Sequence, residues 1–246
     1  MNEFENQDKK GVYQPVYLHE LSKSQLKKVL SSQMFSVTKH GPDGKFIKVN
    51  SRLVAGGHRQ RHDMYERDDI SSPTASATSV FSLAHIAAVE KRCVMTCDIR
   101  AAYLNAEMPV DPDGEPIVMY LDKVLTRILI QLKPEYDPYV VSGTGRLYLI
   151  LDKAPYGCIQ SAKLWYDRLT QDLAQLGSIP NPYDPCVLNA SFGDTQCSIA
   201  LYVDVQITLG CGTVYAKSSR QKLVTKSSTE AELVALASGL EEALVL

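Results

Sequence analysis

Two aspartates stand where apolar, β-prone runs end: Asp98, after Cys93-Val94-Met95-Thr96-Cys97, and Asp204, after Leu201-Tyr202-Val203. Asp98 is expected at a strand end and Asp204 in a hairpin turn, and adjacent strands would bring their carboxylates together. Such a pair offers the hard oxygen ligands that Mg²⁺ demands. Taken singly, a strand-end aspartate is more often a cap or a turn residue, so the flanking residues must decide. The residue after Asp204 is Val205, whose β-branched apolar side chain cannot ligate a metal.

The elements that would position these residues are unevenly legible. Residues 1–20 carry little pattern and read as a loose tail, and Leu21 to Ser31 reads as a short basic helix. Phe35–Lys39 and Lys45–Val49 flank Gly41-Pro42-Asp43-Gly44, which predicts a hairpin. Arg52–Ala55 reads as a further short strand. Ser76 to Arg92 repeats Val80, Leu83, Ala84, Ala87 and Ala88 on one helical face. Cys93 to Asp98 follows as a buried strand. Between Pro116 and Asp152 the pattern is poor. Ala162, Trp165, Leu169, Leu173 and Leu176 then step by three and four along an amphipathic helix that Gly177 closes. Cys186–Leu188 and Cys197–Tyr202 read as strands, with a turn at Val203-Asp204. After about Thr208 the character changes to a short strand, a basic linker and a last helix over Ser228–Leu246.

The chain's 246 residues suffice for a sizeable core, and 45% hydrophobic with 22% charged residues is an ordinary globular balance. The polar, acidic N-terminus and the lack of an apolar run of about 18 residues give no support to a secretory signal or a membrane span. An intracellular setting, cytoplasmic or nuclear, is expected. The six cysteines are scattered in apolar context and read as free thiols rather than a disulfide framework. The net charge of −2 conceals an asymmetry: nine lysines and arginines lie between Leu21 and Arg61 against Asp43 alone. A basic lobe on an acidic body suits contact with a phosphate backbone, and equally a solvated lysine-rich surface.

Several segments in order resemble one family. Lys45-Phe46 and Ser51-Arg52-Leu53-Val54-Ala55-Gly56-Gly57 resemble a Lys-Ala-Arg-Leu-Val-Ala segment, with Asn50 at its lysine position. Ser72-Pro73-Thr74 matches a short segment ahead of a helix. Ala154 to Tyr166 resembles a Tyr-Gly-Leu-Lys-Gln-Ala block, keeping Tyr156 and Gly157 but with Ile159 at the lysine. Tyr202-Val203-Asp204-Val205 resembles Tyr-Val-Asp-Asp. Together these resemble the reverse transcriptase of copia-type LTR retrotransposons. Ser218 to Leu236 is similar to the middle of the RNase H of the same polyproteins. There Glu232 would be a metal ligand, or else Ser227 with Glu230, or Thr229 with Glu232, forms a capping pair.

The resemblance implies an α+β fold with a palm carrying an antiparallel catalytic sheet, a basic fingers lobe and helices on one face. The implied organisation is an N-terminal tail over 1–30, fingers and palm without a thumb over 31–208, and a truncated RNase H-like strand–helix fragment over 209–246. The implied ancestral activity is RNA-directed DNA polymerisation on an RNA or DNA template-primer, using dNTPs and two Mg²⁺ ions about 3.5–4 Å apart. Asp98 and Asp204 would hold metal, and Tyr103 would gate the sugar. Arg52, Tyr156 and Gly157 would contact nucleotide or template, glycine letting backbone approach a base pair. With Val205 in place of the second hairpin aspartate, a loss of several kcal/mol of transition-state stabilisation is expected, on the order of 10³-fold in rate. The reading is a degenerate, internally deleted copy without turnover. Its alternatives are a non-catalytic nucleic-acid-binding remnant that uses the basic lobe, and an unfolded pseudogene product. His58-x₃-His62 and Cys93-x₃-Cys97 imitate an integrase zinc site, but residues four apart on a strand lie roughly 13 Å apart, too far for one tetrahedral zinc.

Overall fold

The structure, a computed structural model, describes residues 3–97, 99–193, 195–202 and 204–208. In chain order the elements are α1 (Glu3–Lys9), β1 (Tyr13–Val16), α2 (Lys23–Lys28), β2 (Leu30–His40), β3 (Phe46–Ala55), α3 (Arg67–Ile70), α4 (Ala77–Val89), β4 (Val94–Cys97), β5 (Val118–Leu121), α5 (Lys123–Leu132), β6 (Leu147–Leu151), α6 (Ser161–Gln175), β7 (Ile179–Asn181), β8 (Asp184–Phe192), β9 (Thr195–Tyr202) and β10 (Asp204–Thr208). The mixed α+β class is as the motifs imply. Two compact units emerge, one of residues up to Ser71 with Tyr103–Trp165, the other of Ser72–Ala102 with the described residues from Tyr166 onward.

The first unit is built on a mixed sheet of order β1-β6-β5-β2-β3, in which only the β2–β5 pairing is parallel. On β6, Leu147, Leu149 and Leu151 are buried while Tyr148 and Ile150 are half-buried, the period-2 pattern of a strand with one face in a core. Leu30, Leu53, Met119 and Leu121 join that core, and Leu125 and Leu129 of α5 are buried with them. The Asp122 side chain starts α5 by accepting from the Val124 and Leu125 amides at 2.9 and 2.8 Å. The poorly patterned stretch before Asp152 therefore holds β5, α5 and β6. It is hard to read because β5 and β6 are too short for periodicity to separate strand from buried helix.

The expected loose tail is not what forms. Phe4 on α1 is fully buried, and β1 pairs with β6 along Tyr13↔Leu151 to Val16↔Tyr148. Pro15 is tolerated there because β1 is an edge strand, where a missing N–H costs no ladder bond. Arg52–Ala55 is likewise no separate strand but the continuation of β3. The short basic helix is met as α2, capped by Ser22, whose side chain accepts from the Gln25 amide.

The second unit holds an antiparallel sheet of order β4-β10-β9-β8-β7. Cys186, Leu188, Cys197 and Ile199 are buried in it, as are Leu169 and Leu173 of α6. Gly177, at φ +84°, ends that helix as expected. Two expectations fail here. Cys93–Asp98 reads as a buried strand, yet Val94 and Met95 are 51% and 42% exposed. Among the described residues β4 pairs on one side only, with β10, so it is an edge strand. On α4, Ala87 alone of the expected apolar face is buried, and Phe81 is 73% exposed. Short side chains such as alanine mark a face poorly.

Candidate nucleic-acid interface

The candidate interface is built on the β2–β3 hairpin of the first unit. Its turn is closed by Gly41 N–H donating to the Lys45 carbonyl at 2.8 Å and Gly44 N–H to the Gly41 carbonyl at 2.9 Å. Gly44 sits at φ +75°, in the left-handed region. The ladder pairs Phe35 with Arg52, Val37 with Asn50 and Lys39 with Lys48. Directly opposed residues share a face, so this face carries Lys39, Lys48, Arg52, Phe35 and Val37. Phe35 and Val37 are 54% and 63% exposed.

At the hairpin's base this face continues into a stack. The Arg52 guanidinium lies 5.3 Å from the centroid of the Tyr156 ring, within cation–π range. Tyr103 lies on Tyr156 with centroids 5.0 Å apart and planes at 42°. Both tyrosines are half-buried and Arg52 is exposed. Three residues singled out from the sequence, separated by up to 104 positions, therefore meet in one cluster.

The cluster is braced by backbone. Tyr156 adds to β3 as a parallel bridge with Val54, and its carbonyl accepts from the Ala55 amide at 2.7 Å. Gly157 follows at φ +96°; a Cβ there would lie 2.1 Å from the Ala55 carbonyl oxygen and 2.5 Å from Val54 Cγ1. Gly57 is equally committed, since its Cβ would lie 1.9 Å from the Gly157 carbonyl oxygen. The missing side chain at Gly157 thus permits the close approach of two protein segments.

Sequence reasoning missed the clamp behind them. The Gln60 side chain donates to Gln160 Oε1 at 3.0 Å and accepts from the Ile159 amide at 3.0 Å. Gln160 also reaches Met108 Sδ at 3.4 Å, and Ser161 Oγ donates to the Pro155 carbonyl at 2.6 Å. Gln60 and Gln160 lie 100 residues apart, and an isolated glutamine carries no local signal. Within the clamp Cys158 is buried, and burial pushes its thiol up to about 12, with the Ser161 hydrogen bond opposing. Cys186 and Cys197 are also free, buried thiols, and burial pushes Cys197 up to about 11. Such groups are protonated and inert at neutral pH.

The carboxylates are less fully placed. Asp98 and Glu232 lie outside the described residues, and of Asp204 and Val205 only the backbone is described. Val205 stands opposite Cys97 in the β10–β4 ladder, and Asp204 opposite Tyr202 in the β10–β9 ladder. Asp98 and Asp204 are thus the next residues outward in the chain from a paired position on adjacent strands. Among the described residues, no group of three or more His, Cys, Asp or Glu is arranged to hold a metal ion. No helix among them is long and apolar enough to cross a membrane.

Comparison with known proteins gives this arrangement its setting. Residues 21–126 match the family model described as reverse transcriptase (RNA-dependent DNA polymerase). That match includes Arg52, Asp98 and Tyr103 and ends before Tyr156 and Asp204. The chain is also similar to the retrovirus-related Pol polyprotein from transposon TNT 1-94 of Nicotiana tabacum, 26% identical over 209 residues. The alignment covers 85% of this chain but only 14% of that polyprotein. The likeness to a retrotransposon reverse transcriptase read from the motifs is therefore shown.

Proposed function

We propose that the chain is a degenerate reverse transcriptase, descended from an RNA-directed DNA polymerase, that retains a surface for template-primer but does not turn over. One observation carries the reading: Arg52, Tyr156 and Tyr103 form a single stack continuous with a hairpin face bearing Lys39, Lys48 and Phe35. Aromatic rings offer bases a stacking platform worth about 1–3 kcal/mol per base, and the cations follow the phosphates. In this reading the β2–β3 hairpin is the fingers lobe, and the antiparallel sheet of the second unit is the palm. Arg52, Tyr156 and Gly157 serve nucleotide or template, Tyr103 serves the sugar, and 209–246 is a remnant of RNase H carrying Glu232.

The donor set does not fit a pair of Mg²⁺ ions. Asp98 and Asp204 supply hard oxygens of the required kind, but the position after Asp204 holds a valine, which has no oxygen to offer. Among the described residues no group of three or more His, Cys, Asp or Glu is arranged to hold a metal ion. What remains is binding: stacking, phosphate contact and the fixed loop geometry that Gly57, Gln60 and Gly157 impose.

The test is Mg²⁺-dependent dNTP incorporation on a primed RNA template, with Val205→Asp run alongside and binding of the same template measured in parallel. The expected result is salt-dependent binding by both proteins, and incorporation only by Val205→Asp. Incorporation by the unaltered chain would overturn the inactivity, and absence of binding would overturn the retained interface.

A further inference from the structure

The first unit contains a second recess that the nucleic-acid reading does not use. It is a cavity of about 340 Å³ between α2, the segment 59–65 and the segment 111–118. That volume is at the small end of ligand clefts, which span about 300–1,000 Å³. It admits one small molecule and not an oligonucleotide. Its apolar part is Leu30, Ile117 and Val118, all buried, beside the half-buried ring of Tyr65.

The polar groups divide into two kinds. Lys28 is committed: its ammonium lies 2.7, 2.6 and 3.3 Å from Asp111, Asp113 and Glu115. The loop carrying those carboxylates is fixed from within, Asp111 Oδ1 accepting from the Asp113 and Glu115 amides at 3.0 and 2.9 Å. Arg61 is committed too, bidentate to Asp63 at 3.2 and 2.6 Å. The Lys27 and Arg59 side chains, by contrast, line the cavity and make no ion pair among the described residues. Asp113 lines it as well and uses only Oδ2 on Lys28, leaving Oδ1 as an open acceptor among the described residues.

The cavity thus has two open cations, an open carboxylate oxygen, and an aromatic and aliphatic floor. We infer that it is a binding site for a purine nucleoside monophosphate of the guanine type. Arg59 and Lys27 take the phosphate, the guanidinium by its planar fork and the ammonium as a point charge. The base lies against Tyr65 and the aliphatic floor. Its N–H donors face the carboxylate, as an acceptor-only group requires. A free phosphate would satisfy the cations and leave the rest empty, whereas a nucleoside would do the reverse. Its cations lie outside the Arg52–Tyr156–Tyr103 stack, although Gln60, which also lines the cavity, belongs to the clamp behind that stack.

Titration calorimetry of the full chain with GMP tests this, with IMP, guanosine and inorganic phosphate as separate arms. IMP lacks the exocyclic amino donor. GMP is expected to saturate one site, IMP to bind several-fold more weakly, and phosphate or guanosine alone at least about tenfold more weakly, as for loss of one charge-assisted contact. The double variant Lys27→Ala/Arg59→Ala should lose at least about tenfold in GMP affinity at an unchanged urea midpoint, since both residues are exposed. Arg52→Ala should leave GMP binding as it was. No saturation by GMP, phosphate binding as well as GMP, or an unaffected double variant would each overturn the site. Loss of GMP binding in Arg52→Ala would move the ligand to the stack and overturn it equally.

Discussion

The two compact units each centre on a five-stranded sheet, but they finish it differently. In the first, Leu121, Leu129, Leu147 and Leu149 are wholly buried, and a group of exposed apolar residues, Phe35, Val37, Phe46, Ile47 and Val49, lies on the hairpin beside lysines. In the second, apolar surface is left open on α4 and β4, with Phe81 73%, Val89 66% and Val94 51% exposed, and again around β7 at Ile179 and Tyr183. The first unit carries the stacked binding groups on a scaffold held by glycine contacts and a glutamine clamp. The second carries the strands whose ends lead to Asp98 and Asp204. In the proposed reading, binding and catalysis are therefore assigned to different units and should be separable by mutation.

The sharpest break in that comparison is Gly157→Ala. It adds a methyl 2.1 Å from a carbonyl oxygen at a left-handed φ, and should cost about 4 kcal/mol or more, the range reserved for backbone collisions in fixed structure. Gly44→Ala has the same sign of φ but nothing within 4 Å, so it should cost only about 1–2 kcal/mol. Urea midpoints of the two variants decide the matter. Equal losses would mean that the contact between β3 and the 156–157 segment does not brace the stack.

Leu149→Ala and Phe81→Ser compare the two cores directly. The first empties a fully buried position and should cost about 2–5 kcal/mol. The second removes an exposed ring and should stay within about 0.5 kcal/mol. A cost above about 2 kcal/mol for Phe81→Ser would show that the outer face of α4 is covered in solution. For function, Arg52→Ala should reduce the salt slope of template binding by about 1 and weaken binding uniformly across sequences. Val205→Asp should leave both unchanged.

How much of this was legible follows from what each signal is made of. The hairpin and α6 were readable because Gly41 to Gly44 and the Trp165, Leu169, Leu173 spacing are local patterns. The residues of the stack could be named from the resemblance but their assembly could not, since Arg52 meets Tyr156 through the pairing of β3 with the 156 segment, while the segment that follows Tyr103 is tied just ahead of Tyr156 by the Glu107↔Lys153 bridge. Nothing near Gln60 announces Gln160. The tail misled because Phe4, Tyr13 and Val16 are too few to form a period, although their burial ties them down. β4 misled in the opposite direction: Val94-Met95-Thr96-Cys97 has the composition of a core strand, but its place at a sheet edge leaves it exposed. Composition reports what a segment prefers, and topology decides whether a neighbour arrives.

The smallest expected effect probes electrostatics in the same pair of units. In the second, Asp184 accepts from the Ser79 hydroxyl at 2.5 Å and from the Ser76 and Cys186 amides at 3.0 Å each. Burial pushes this carboxyl up, but the three donors together outweigh it and hold it below the ordinary carboxylate range. A depressed carboxylate stabilises the fold fully above its unfolded value, about pH 4, and that contribution disappears as the pH falls through the lower folded value. Asp184→Asn should therefore be less stable than the native chain at pH 6, with the gap closing as the pH falls below about 4 and through the lower folded value. In the first unit Glu115 is depressed by Ser22, Ser24 and Lys28, but it sits at the surface, where water screens the contacts. Glu115→Gln should show the same sign with a smaller gap. Urea midpoints of the three proteins across that range give the comparison directly. If Glu115→Gln lost as much as Asp184→Asn, the cap on α4 would be no stronger than a surface ion pair, and the second unit would be held by its sheet alone.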